Sequence, residues 1–283
     1  EPNSGTVFGD VDLASCFTLN NGVGIPTLGL GVFQAEPGEE THDAVLHALE
    51  TGYRHIDTAR VYRNEHAVGD ALRESGVPRS EVFVTTKLWN GDHGFEKALT
   101  ACDASLNRLG LDFIDLYLVH WPVEGLRSES WSALEQLYDE GKCRAIGVSN
   151  YTVRHLEELL AGCSIVPAVN QVEFSPYTFQ AELLDYCRGH SIQLEAYSPL
   201  TKGLKLDDPY LNKISASYSR TPAQLLLRWC LEHQVVTIPK SVTPVRIEEN
   251  ARVFDFEIVA EDMHRLNSLD ENLRTGWDPT DAS

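Results

Sequence analysis

Eight short β-branched or aromatic runs alternate with stretches of helical spacing along nearly the whole chain. They read LGLG (28–31), YRHID (53–57), VFVTTK (82–87), FIDLYLVH (113–120), CRAIGVSN (143–150), PAVNQVE (167–173), IQLEAYS (192–198) and VVTIP (235–239). Strands separated by helices pair in parallel through right-handed crossovers. THDAVLHALETG carries Gly52 as a helix stop, and SESWSALEQLYDEGK carries Gly141 in the same role. TPAQLLLRWCLEH opens with Thr221 as a cap and Pro222 at the first helical position. An open dinucleotide-binding sheet should show G-x-G-x-x-G at a strand-to-helix turn, and the chain has none. Eight units in 283 residues therefore predict an α/β fold of the (β/α)8 TIM-barrel type. CFTLNNGVGIPTLG ahead of it predicts a β-hairpin, with Asn21-Gly22 as a two-residue turn signal. No linker divides the chain, so the expected organisation is a flexible leader over 1–16 and one barrel domain over 17–283, ending in a short tail.

Charge and cysteine usage narrow the function. A net charge of −19 argues against nucleic acid or an anionic membrane surface as a partner. The longest apolar run falls short of the 18 residues or so that a membrane helix needs. The opening EPNSGTVFGD has neither a basic region nor an apolar stretch, unlike a signal peptide. Six cysteines without a C-x-x-C pair read as reduced thiols of a cytoplasmic protein, with no metal site.

In this architecture catalytic groups stand at the C-terminal ends of strands and in the loops that follow. The expected strand ends carry Asp57, Lys87, His120, Ser149, Asn150, Gln171, Tyr197 and Lys240, with Tyr62 five residues past Asp57. A phenol, an ammonium, a carboxylate and an imidazole at one mouth make an acid catalyst with its tuning groups. GYRHIDTARVYRNE (52–65), TTKLWN (85–90), DLYLVHWP (115–122), AIGVSN (145–150), VNQVE (169–173), AYSPL (196–200) and IPKSVTPVRIEEN (238–250) occur in that order. In these segments the chain resembles the aldo-keto reductases, from about residue 17 to 275. The resemblance is strongest to the short-loop, microbial-type branch of glyoxal, diketogluconate and prostaglandin-endoperoxide reductases.

That resemblance implies a proton-donating tetrad of Asp57, Tyr62, Lys87 and His120. Reduction of a carbonyl leaves an alkoxide, so a proton must arrive as charge develops. A nearby ammonium lowers the pKa of a phenol, and a carboxylate keeps that ammonium charged. Tyr62 is then the acid, Lys87 its tuner, Asp57 the partner of Lys87, and His120 the group that orients the carbonyl oxygen.

With no flavin or haem signature, the reductant expected is a nicotinamide. Resemblance places its carboxamide against Ser149, Asn150 and Gln171, and its ring on Tyr197. Gly31, Val32, Ser198, Leu200 and Val242 complete the implied contacts. Lys240 and Arg246, with hydroxyls at Ser241 and Thr243, mark a helix start suited to a phosphate. In the family such a segment grips the 2′-phosphate of NADPH, with Glu249 and Asn250 facing the adenine. NADPH/NADP+ is therefore the expected cofactor. In the loop 198–205, Lys202 and Lys205 are expected near the pyrophosphate.

Phe33, Trp89, His120 and Trp121 fall where the family walls its substrate pocket. Phe33 and Tyr197 stand where relatives often have Trp, and Ser175-Pro176 where many have His-Pro. Phe33 implies a wider pocket. Family members acting on steroids usually carry a longer loop after His120 and a longer tail, so the resemblance points to small aldehydes, dicarbonyls or sugar-derived carbonyls; a monomer is expected. Three other readings compete. A barrel glycosidase would use Glu173 and Glu195 as paired carboxylates. A Schiff-base aldolase would use Lys87, and an NADPH-binding sensor or accessory subunit would turn over little.

Overall fold

The computed structural model describes residues 12–282. The chain opens with an antiparallel hairpin of β1 (Cys16–Thr18) and β2 (Gly24–Pro26). Gly22 lies at φ 85° and donates its N–H to the Leu19 carbonyl, so the turn falls at the expected dipeptide. Thr18 pairs with Gly24, however, which makes the connection five residues long, not two. Of the leader expected over 1–16, residues 1–11 lie outside the described residues; Ser15 N–H donates to the Asp12 carbonyl in a turn, and Cys16 belongs to β1.

Eight parallel strands follow: β3 (Leu30–Gly31), β4 (His55–Asp57), β5 (Phe83–Leu88), β6 (Ile114–Val119), β7 (Cys143–Ser149), β8 (Val169–Glu173), β9 (Gln193–Tyr197) and β10 (Val236–Thr237). Each pairs with the next. The cylinder closes where Leu28 bridges Thr237 and Gly31 bridges Lys240, with Gly29 N–H donating to the Thr237 carbonyl at 2.9 Å. The eight predicted strands and the barrel are thus present.

Helices α1 (Glu39–Thr51), α2 (Glu65–Glu74), α3 (Phe95–Leu109), α4 (Arg127–Asp139), α5 (Val153–Leu160) and α6 (Ala181–Gly189) alternate with the strands. Two helices, α7 (Pro209–Ser217) and α8 (Pro222–Glu232), lie between β9 and β10, and α9 (Pro244–Ala251) and α10 (Ala260–Asn267) follow β10. Gly52 caps α1 in the left-handed region, as its position predicts. Gly141 lies one residue past the cap of α4 at φ 75°. Thr221 and Gln224 form a capping box at the start of α8, with Pro222 in its first turn.

The apolar faces of helices and strands pack in the ring between them, around residues such as Trp229, Tyr117, Leu134 and Leu225. The barrel interior is filled at its lower end by Leu116, Leu118, Val169 and Val236, with Leu19 and Ile25 of the hairpin against them. Asn20 and Asn21 donate to the carbonyls of Pro167 and Arg144, at the feet of β8 and β7. The hairpin therefore plugs the bottom of the barrel, and the open end is the upper one. Each buried Leu or Ile there contributes about 1.5–3 kcal/mol relative to exposure.

Candidate active site

At the upper end the structure brings the four expected residues together. Asp57 ends β4, Lys87 is the penultimate residue of β5, His120 follows β6, and Tyr62 ends a short 3-10 turn, Arg60–Tyr62. The Lys87 ammonium is fully sealed from solvent. It donates to Asp57 Oδ1 at 2.6 Å, to the Thr58 carbonyl at 2.9 Å and to the Tyr62 hydroxyl at 3.4 Å. Three donors thus meet three acceptors, which is the condition for a buried ammonium to stay charged. Burial alone would lower its pKa, but Asp57, and then Tyr62, hold it above the usual lysine value.

Burial pushes the Tyr62 phenol upward, and Lys87 opposes that shift without cancelling it. The net direction is upward, against the lowering expected from the lysine alone, because desolvation of a phenolate outweighs one neighbouring cation. Tyr62 is consequently held as phenol, the proton-bearing form. Burial, and then the Lys87 charge, depress the imidazole of His120 well below its usual value, so it is neutral. Its ring lies edge-on to Tyr62, with centroids 5.9 Å apart, and edge-on to Trp89 at 5.4 Å.

Phe33, Trp89 and Trp121 line the same opening: Phe33 packs on Tyr62 at 5.1 Å between centroids, and Trp121 lies parallel to His120. A fourth aromatic, Trp277, tilts against Trp121 at 4.8 Å. The chain after α10 reaches back over the mouth, where Thr275 and Gly276 donate their N–H groups to the Glu173 carboxylate at the end of β8. Lys202 holds the same strap by donating to the Thr275 carbonyl at 2.8 Å. Sequence reasoning missed Trp277 and this use of Glu173; the available signal was a Gly-Trp pair in an otherwise polar tail.

The residues expected to hold a carboxamide also converge. Ser149 Oγ donates to the Gln171 carbonyl at 2.8 Å, and Asn150 Nδ2 donates to the His120 carbonyl at 3.0 Å. Tyr197 donates its hydroxyl to Asn150 Oδ1 at 2.7 Å, next to the strap. Gly31 lies level with Asp57 in the strand register, and Val32 N–H donates to the Asp57 carbonyl. In the following loop Ser198, Thr201 and Lys202 all sit at positive φ (48°, 52° and 51°), costly for residues with a Cβ and common where backbone is held for a ligand. Leu200 packs below them.

Lys240 follows β10, and Thr243 is the N-cap of α9 without a capping side-chain bond. Ser241 Oγ accepts from Thr243 N–H. Lys240 and Arg246 are exposed and, among the described residues, form no ion pair. Two free cations at an uncapped helix start, in a chain of net charge −19, suit a phosphate. Val242 lies between them, half-buried. Glu249 accepts from the Thr221 hydroxyl at 2.7 Å, which ties α9 to the cap of α8, and Asn250 is buried. Lys205 pairs instead with Glu271 at 2.6 Å.

This arrangement leaves no role for paired carboxylates, because Glu173 is occupied by the strap and Glu195 is sealed inside the barrel. Lys87, charged and triply bonded, is no Schiff-base nucleophile.

A sequence model of the aldo/keto reductase family matches residues 23–271. The chain is 52% identical over 261 residues to a glyoxal reductase of Bacillus subtilis, covering 92% of this chain and 95% of that protein. It is 50% identical over 268 residues to a 9,11-endoperoxide prostaglandin H2 reductase of Trypanosoma cruzi, covering 94% and 95%. Among solved structures, an aldo-keto reductase from a Medee basin deep-sea metagenome library superposes with a TM-score of 0.91 at 45% identity, covering 94% of this chain and 98% of that one. A Bombyx mori aldo-keto reductase in complex with NADP gives 0.88 at 36% identity, covering 93% and 95%.

Proposed function

The chain belongs to the aldo/keto reductase family, and from that membership we propose that it reduces small aldehydes and dicarbonyls to alcohols with NADPH. Sugar-derived carbonyls belong to the same class. Bound NADPH supplies hydride; the chain's own residues hold the carbonyl and provide the proton. One observation carries the reading: the Tyr62 hydroxyl rests 3.4 Å from a sealed, charged Lys87 at a mouth walled by aromatic rings.

Tyr62 is the general acid. Its burial keeps the phenol protonated at rest. Lys87 stabilises the phenolate that forms on proton transfer, and it does so most strongly when the negative charge has fully developed. Asp57 neutralises Lys87 between turnovers, and neutral His120 orients the carbonyl oxygen toward the phenol. Phe33, Trp89, Trp121 and Trp277 exclude water. Ser149, Asn150, Gln171 and Tyr197 hold the nicotinamide end, with Gly31, Val32, Ser198, Leu200 and Lys202 along the path outward. Lys240, Ser241, Val242, Thr243 and Arg246 take the 2′-phosphate, with Glu249 and Asn250 beside the adenine.

Tyr62→Phe tests the assignment. Loss of the acid should lower kcat for a small aldehyde roughly 100- to 10,000-fold while the NADPH dissociation constant, followed by fluorescence, stays near that of the native chain. Turnover close to the native rate in Tyr62→Phe would remove Tyr62 from the chemical step.

A further inference from the structure

Beneath the mouth lies a polar layer in which Asp57 and Gln171 meet two groups the mechanism above does not use, Glu195 and His55. Gln171 Nε2 donates one hydrogen to Asp57 Oδ2 at 2.7 Å and the other to Glu195 Oε2 at 3.0 Å. Glu195 is fully sealed on β9. Its other oxygen lies 3.5 Å from His55 Nε2, and His55 in turn sits 3.2 Å from the Thr85 hydroxyl. Glycine at position 29 makes room for this: a Cβ there would fall 2.8 Å from the His55 ring. The groups facing Glu195 are Asp57 and His55 from β4, Lys87 from β5 and Gln171 from β8.

We propose that Glu195 is a positioning residue for carbonyl reduction: through Gln171 it fixes Asp57 and the carboxamide-holding end of Gln171. This rests on the reductase reading. With both hydrogens of its nitrogen bound by carboxyl oxygens the Gln171 carboxamide holds one orientation, because a flip sets its carbonyl oxygen against the Asp57 carboxylate, which can only accept. The Gln171 carbonyl oxygen is thereby directed away from the layer, where the side chain can accept from an amide. Asp57 keeps a single orientation toward Lys87 for the same reason.

The charge state matters as much as the contact. Burial, then the Asp57 carboxylate, hold the Glu195 acid up at about 8, so it is neutral at pH 7. Burial keeps the His55 ring uncharged as well. When Glu195 ionises, a second carboxylate appears beside Asp57. It competes for Lys87 and raises the cost of forming the Tyr62 phenolate, so proton donation weakens as pH rises.

Two variants separate position from charge. Glu195→Gln keeps an acceptor for Gln171 and cannot ionise; Glu195→Leu keeps the volume and loses both. In Glu195→Leu the NADPH dissociation constant should rise about fivefold, the value of roughly one neutral hydrogen bond, and Glu195→Gln should restore it. The alkaline fall in kcat of the native enzyme should move up by about one pH unit in Glu195→Gln, the size of a typical carboxyl-driven shift. A Glu195→Gln profile that overlays the native one, or native NADPH affinity in a folded Glu195→Leu chain, overturns the proposal. Should Glu195→Leu fail to fold by circular dichroism, the Glu195→Gln profile decides alone. A native chain that binds NADPH but reduces no aldehyde would refute the reductase reading, and the binding comparison would then judge Glu195 by itself.

Discussion

Lys87 shows how much of the site rests on single side chains. Its ammonium has three acceptors and is sealed from solvent, so it works as a fixed positive charge between Asp57 and Tyr62. That arrangement was legible in the sequence because Asp57, Lys87 and His120 each stand at or beside the end of a recognisable strand. The strap was not. Glu173 receives Thr275 and Gly276 from about a hundred residues downstream, and no local pattern records a contact of that range. Arg246 poses the sharpest residue-level question. It is exposed and unpaired among the described residues, so removing it should cost little fold stability while removing the phosphate ligand proposed above. Arg246→Ala should weaken NADPH binding by about 1.5–3 kcal/mol, the range of a charge-assisted hydrogen bond, and leave NADH binding nearly unchanged. Equal losses for the two cofactors, compared by fluorescence titration, would refute the 2′-phosphate role.

At the scale of elements, the period of apolar residues gave existence and order, and capping chemistry gave the ends. Thr221, Pro222 and Gly52 each mark the helix end they predict. Strand lengths were less legible: LGLG and VVTIP shrink to the two-residue β3 and β10 because the cylinder closes there through isolated bridges. The Thr221 hydroxyl does two things: it accepts from Gln224 N–H at 3.3 Å and donates to Glu249 at 2.7 Å. It thus fixes the start of α8 and the body of α9 together. Thr221→Ala should lower stability by about 1 kcal/mol through the lost cap, read as a lower Tm. NADPH should recover part of that loss if α9 binds it.

Across the whole molecule, two fully buried groups with opposite shifts, His55 and Glu195, pull the pH dependence of stability in opposite directions. His55 is depressed to about 3, so its contribution is present above its unfolded pKa near 6.5 and is lost as pH falls through about 3. Glu195 is raised to about 8, so its contribution is present below its unfolded pKa near 4.5 and is lost as pH rises through about 8. The slopes oppose one another between about 4.5 and 6.5. For these two groups Tm should climb from pH 3 to 4.5, level off, and decline from 6.5 to 8. Glu195→Gln should flatten the decline; an unchanged alkaline slope in scanning calorimetry would show that Glu195 does not titrate as placed.

The seam between β3 and β10 joins residues 31 and 240, which is 209 positions apart along the chain. Bringing such distant segments together carries a large loop-closure entropy, so pairings of this kind form late. Until it forms, β3 and β10 are open edges, and an unpaired edge can recruit a strand from another molecule. The seam is thus a clock for the protein's own synthesis and refolding: the interval before Gly31 meets Lys240 is when the chain is most exposed to aggregation.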